Sequence, residues 1–167
     1  GKMRVVEILL CLLLIAFIIS KVKAEKTKLK SQYVDPLDKF ILARVIFAEA
    51  VGEPRLGRIA VGCVVRNRVK SPRWPNTYKE VILQPRQFSG VGSFLWDRFI
   101  QNKLLTSEQR RIKLECFKIA EDIITGRQPD ITGGATHYYN PKIVSPSWAK
   151  EMKITRRIGN HIFLKEK

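Results

Sequence analysis

Between Val5 and Ser20 the chain reads VVEILLCLLLIAFIIS, apolar except for Glu7 and the closing serine. A run with no polar face has no place on the surface of a water-soluble domain, so it stands apart from the fold that follows. Lys2 and Arg4 precede it, and Val22 and Ala24 stand three and one positions before a cut after Ala24. That layout is a secretory signal over residues 1–24. Its alternative is an uncleaved membrane anchor, for which the run falls slightly short of the roughly 18–20 apolar residues that span a bilayer comfortably. Either reading places the rest of the chain outside the cytoplasm.

Beyond residue 24 the chain carries 27 basic and 14 acidic side chains, a formal net charge of +13. Such a surface seeks polyanions. For an exported domain these are anionic wall polymers or membrane headgroups; a helix-turn-helix, zinc or RNA-binding pattern is missing, and nucleic acid is not expected. Cys11 lies in the apolar run, while Cys63 and Cys116 each sit on an apolar helical stripe and read as free buried thiols, with a disulfide as the alternative. His137 and His161 are distant from each other and from the cysteines in sequence, so no metal site and no cofactor are expected.

The length suits one domain with an appendage. Residues 25–34 are lysine-rich and polar and read as a flexible leader; the domain then covers 35–167. Asp35 and Pro36 open a first helix that breaks at Gly52. Pro54 opens a second, with a stripe of Leu56, Ile59, Ala60, Cys63 and Val64 that ends on Asn67. Thr77 with Glu80, and Thr106 with Gln109, form capping boxes for a short helix to about Leu83 and for the longest helix of the domain. That helix faces Ile112, Cys116, Ile119, Ala120 and Ile123 inward and stops at Gly126. The segments from Gln84 to Trp96 and from Arg127 to Ala149 read as irregular, and Gly159–Asn160 as the turn of a small β-hairpin. The expected class is mainly α (α+β).

Glu49 interrupts an apolar face made by Leu42, Val45 and Ile46. A carboxylate there must be neutralised, paired or used. Used, it serves as a general acid; paired, it meets Arg66 or Arg68. Glu53, at the Gly52–Pro54 break, reads as a structural acceptor for amides at the start of the next helix. Asn67 either positions substrate or caps its helix. His137, Tyr138, Tyr139 and Asn140 form either a saccharide platform or packing under a loop, and Trp74, Trp96 and Trp148 read as core. No serine has nucleophile-elbow surroundings.

The stretches LARVIFAEAVGEPRLGRIAVGCVVRNRV, WPNTYKEVILQPRQFS, GGATHYYNP, Trp148 and IGNHIF stand in the order and spacing of the bacterial cell wall hydrolases of the spore cortex-lytic (SleB/CwlJ) type, which the chain resembles from about Leu37 to Phe163. The resemblance implies a lysozyme-like helical fold related to lytic transglycosylases and goose-type lysozyme, with peptidoglycan glycan strands as substrate. It puts Glu49 in the place of the catalytic acid and Glu53 in a place that supports the site from behind or is structural. Gln87, Phe88 and Ser89, and Tyr138 to Pro141, would border the cleft. Ala50 follows Glu49 where classical lytic transglycosylases carry serine, so contacts made by that serine are not carried over. With one well-placed acid, a single-acid cleavage between N-acetylmuramic acid and N-acetylglucosamine is expected, closing to 1,6-anhydromuramic ends. Hydrolysis with Glu53 or Asp130 as base, and a non-catalytic wall-binding module, are the alternatives; the default oligomeric state is monomer.

Overall fold

The computed structural model describes residues 4–167, with the backbone alone at 30–32. They fall into two units that meet between Tyr33 and Val34. The first is one helix, α1 (Val5–Gln32). Its span Val5–Leu29 is long and apolar enough to cross a membrane, at about 1.5 Å per residue against a hydrocarbon core of about 30 Å. A signal and an anchor satisfy that test alike. The flexible leader expected over 25–34 is helical as far as Gln32, because Ala24, Glu25, Lys26, Lys28 and Leu29 are good helix formers and no glycine or proline intervenes.

In the second unit Asp35 accepts from the Leu37 amide at 2.8 Å and begins α2 (Pro36–Ala50). Leu42, Val45 and Ile46 are fully buried along it. α3 (Arg55–Lys70) follows Pro54 and outlasts Asn67 by a turn, burying Ile59, Ala60, Cys63 and Val64. Leu56, expected on that stripe, is 59% exposed. The first turn of α3 faces polar partners instead: Arg58 donates to the Glu53 carbonyl and, at 2.9 Å, to Glu115.

Thr77 caps α4 (Tyr78–Leu83). Ser93 caps a one-turn helix, α5 (Phe94–Arg98), inside a segment expected to be irregular; a single capped turn is too short to show helical periodicity. α6 (Ser107–Ile124) begins on the reciprocal Thr106–Gln109 box, with both bonds at 3.1 Å, and its five expected inward residues are all buried. α2, α3 and α6 share the main core, where the Phe47 and Phe99 rings meet edge to face at 5.4 Å.

The chain then forms β1 (His137–Tyr139), β2 (Met152–Ile158) and β3 (His161–Glu166), an antiparallel sheet in the order β1-β3-β2. The expected hairpin is β2–β3, turning at Gly159–Asn160. The added strand is the correction: three residues are too few for alternation to be visible, and β1 exists through its pairing of Tyr138 with Phe163. Phe163 packs with Ala60 and Val64, which seats the sheet on α3. This brings β1 against the C-terminal end of α2.

Candidate active site

The end of α2, the loop 86–89, β1 with the segment after it, and the start of β3 enclose a cleft of about 740 Å³. Glu49 lies in its wall. Tyr138 Oη donates to Glu49 Oε2 at 2.6 Å, the Gly90 amide donates to Oε1, and Ser89 Oγ lies 3.4 Å from the same oxygen. A carboxylate offers about four lone-pair sites. Three donors fill three of them and leave one for a proton to be passed to a ligand.

Burial, then the charge of Glu49 and the bond to it, push the Tyr138 phenol well above its ordinary value of 10.0, so it remains a donor. Its ring meets the ring of His161 at 5.0 Å. Burial lowers the pKa of that imidazole against the opposing pull of Glu53 and Glu49, which leaves it neutral at neutral pH.

Neither Arg66 nor Arg68 forms a salt bridge with Glu49 among the described residues. Arg66 donates to the carbonyls of Ile123 and Gln128. Arg68, 4% exposed, lines the cleft, donates to Thr136 O at 2.7 Å and to Gln87 Oε1 at 3.2 Å, and lies over the Phe88 and Trp74 rings. Burial lowers its pKa, with Tyr138 and Glu49 pulling the other way.

Of the residues expected at a site, Glu49, Glu53, Gln87, Ser89, Tyr138, Tyr139 and Asn140 line the cleft. Phe88 does not: it is 4% exposed and sits in the core under Arg68. His137 is also outside the cleft lining: alternation along β1 turns it away from Glu49, and Trp74 and Trp148 hold its ring at centroid distances of 5.7 and 5.2 Å. Trp148, expected in the core, is 40% exposed and lines the cleft.

Glu53 makes contacts that local sequence could not show. Its two oxygens accept from the backbone amide and side-chain amide of Asn160, at 3.0 and 3.1 Å, rather than from the first turn of α3. Gly159, at φ 58°, permits this, since a side chain there would collide with Glu53 Oε2. Asp130, the other base considered, is not among the residues that line this cleft. It organises the loop before β1 by accepting from Thr132 N and Oγ1, Gly134 N and Asn67. Burial alone would raise its pKa, but those bonds hold it below the ordinary carboxylate range.

Asn67 neither meets the cleft nor caps α3. Its amide donates to Ala135 O at 2.8 Å, and to Asp130 and Thr132 at 3.3 Å. Asn67→Ala should therefore cost about 1–3 kcal/mol of stability and lower the melting temperature. Activity measured well below that temperature should stay unchanged, and a selective loss of rate with no change in melting would contradict the assignment.

The two core cysteines are free. Burial raises the Cys63 thiol and pushes Cys116 up to about 12, which disqualifies both as nucleophiles. Among the described residues, no cluster of three metal-ligating side chains occurs.

The model of the family described as Cell Wall Hydrolase matches residues 52–164. The chain belongs to the cell wall hydrolase family. Spore cortex-lytic enzymes of Bacillus cereus and Bacillus subtilis are 35% and 32% identical to it over 125 and 123 residues, 75% and 74% of this chain. The chain spans 43% and 36% of their lengths. The solved catalytic domain of the germination-specific lytic transglycosylase SleB from Bacillus anthracis is 35% identical, with a TM-score of 0.61 over 79% of this chain and 97% of that one. The SleB catalytic domain of Bacillus cereus is 30% identical, with a TM-score of 0.58 over 80% and 93%. The lysozyme-like, mainly helical fold expected from the resemblance is thus the fold of this domain. Glu49 precedes the segment that the family model matches, so its part in the cleft rests on the geometry.

Several residues of the site were not singled out from sequence: Arg68, Arg86, Trp148 and His161 in the cleft lining, and Gly90 behind Glu49. For His161 and Trp148 the signal was present, since both stand within the motifs that carry the family resemblance. For Gly90 there was none, because its role depends on a backbone contact with α2.

Proposed function

We propose that this cell wall hydrolase domain cuts the glycan strand of peptidoglycan between N-acetylmuramic acid and N-acetylglucosamine, as a lytic transglycosylase with Glu49 as acid and then base. The observation that carries the reading is the state of the two glutamates in the cleft. Glu49 stands in the cleft wall, held by Tyr138, Gly90 and Ser89 with one lone-pair site open, whereas the Glu53 carboxylate, with one bond on each oxygen, ties the β2–β3 turn to the end of α2 through Asn160. Inverting and retaining glycosidases ordinarily use two carboxylates.

Glu49 passes its proton to the glycosidic oxygen. The C1–O bond breaks, and its electron pair leaves with the N-acetylglucosamine oxygen. The positive charge on the muramic ring is met by its own N-acetyl oxygen and by the Glu49 carboxylate. Glu49 then takes the proton of the C6 hydroxyl while O6 closes on C1, which gives a 1,6-anhydro end and returns the acid to its starting state. Tyr138 and Gly90 hold the carboxylate in one plane through both steps. The reaction as written uses no metal and no cofactor. The apolar α1 exports the domain or holds it at the membrane, and the +13 charge beyond residue 24 favours residence on anionic wall polymer. The domain acts as a monomer on its polymeric substrate.

Mass spectrometry of the fragments released from purified peptidoglycan by the full chain tests this. Fragments ending in anhydromuramic acid are expected. Reducing muramic ends would mean water attack and a muramidase, and binding without release would mean a wall-binding module.

A further inference from the structure

Among the described residues other than glycine, Arg86 alone has a positive φ, at 63°. It follows Pro85 in a turn closed by Gln87 N donating to Gln84 O at 3.3 Å. This is the pattern of a type II turn, whose third position is ordinarily glycine or asparagine because other side chains crowd the backbone there. Arginine at that position carries a steric cost that a glycine would remove, so the side chain must be weighed for what it does.

Arg86 lines the cleft. Two arginines do so, and their surroundings differ. Arg68 is buried, bonded to Thr136 and Gln87 and covered by two aromatic rings. Arg86 is exposed, and among the described residues no hydrogen bond, ion pair or ring contact engages its guanidinium. The loop that carries it is fixed on the far side of the turn: Gln87 is tied to Arg68, and Ser89 and Gly90 to Glu49. A strained backbone thus presents a free planar cation to the cleft that Glu49 also lines. Sugar hydroxyls and N-acetyl groups are neutral, and a guanidinium fork matches a carboxylate.

Resting on the proposed function, we infer that Arg86 is a specificity residue that binds a carboxylate on the lactyl arm of the muramic acid next to the cut bond. That carboxylate belongs either to the peptide attached to the arm or to the lactyl group itself where the peptide is missing.

The test uses the full chain in mild detergent with Glu49→Gln to stop turnover, with and without Arg86→Asn. Asparagine tolerates the left-handed region and carries no charge. Three ligands are titrated by tryptophan fluorescence, which reports on the cleft through Trp148: peptide-bearing glycan strands, strands stripped of peptide, and chitin oligosaccharides that lack any carboxylate. Arg86→Asn should weaken binding of carboxylate-bearing strands about tenfold, the scale of one charge-assisted pair. Chitin oligosaccharides should bind the two proteins alike, and the melting temperature of Arg86→Asn should equal or exceed that of its parent.

A loss confined to peptide-bearing strands assigns the peptide carboxylate, a loss confined to stripped strands assigns the lactyl carboxylate, and a loss on both means that Arg86 takes whichever of the two a strand carries. Equal losses on all three ligands, no loss on any, or a lowered melting temperature would overturn the inference. Failure of the Arg86-containing protein to bind any glycan would overturn the proposed function and this inference with it, whereas binding that is indifferent to Arg86 overturns the inference alone.

Discussion

Glu49→Gln should leave a folded protein whose release of soluble fragments from peptidoglycan is reduced about 10³-fold or more, since the same carboxylate acts as acid and as base and each role is worth about 10²–10⁴. The surroundings say why the fold should survive. The Gly90 amide can only donate, so the glutamine carbonyl must face it. The new NH2 then faces Tyr138 Oη, and a phenol hydroxyl can turn to accept where it formerly donated. Gly90 keeps its acceptor, Tyr138 Oη gains a donor while its own O–H turns toward the cleft, and the stability change should be within about 1 kcal/mol. Release of soluble muropeptides, read beside the melting temperature, checks this. A variant that keeps more than a tenth of the parent rate would remove Glu49 from the chemistry and leave the cleft without an acid.

How much of this was legible in the sequence depends on the range of the interactions involved. Capping boxes and helical stripes are local, and Thr106–Gln109 and the buried face of α6 stand where the spacing puts them. Glu49 was legible for a related reason, as a polar residue among Leu42, Val45 and Ile46, the kind of local inconsistency that functional sites show.

What the sequence could not show is set by contacts between distant segments. β1 is a strand because β3 pairs with it, and that pairing decides that Tyr138 meets Glu49 while His137 turns away. Glu53 was read against its nearest amides, yet its partner is Asn160, 107 residues on. Phe88 and Ser89 are neighbours in one loop, but the first lies in the core and the second in the cleft. Leu56 and Trp148 both reverse the usual expectation for a large apolar residue. In each case the neighbours decide: polar partners occupy the inner side of the first turn of α3, and the cleft opens at Trp148.

Gly90 is the position where a single methyl group should cost the most activity. A Cβ built on it would lie 2.8 Å from Glu49 Oε1, 2.9 Å from Ala48 Cβ and 3.0 Å from the Ala48 carbonyl carbon. The last two atoms are fixed by the backbone of α2 and cannot swing aside, so in Gly90→Ala the loop must retreat and its amide must leave Glu49. Overpacking of this kind costs about 1–3 kcal/mol of stability, and a carboxylate displaced by about 1 Å costs about 10²-fold in rate. The loss should fall on kcat, because Gly90 grips the acid and is not itself among the residues that line the cleft. Combining it with Glu49→Gln separates this from general damage. If Gly90 acts only through the carboxylate, the double variant should be no slower than Glu49→Gln alone, since residues that work as one unit are not additive. A further hundredfold drop in the double variant would mean that the loop contributes to the reaction by another route, and the position of Arg86 on that loop would make it the first residue to test for it.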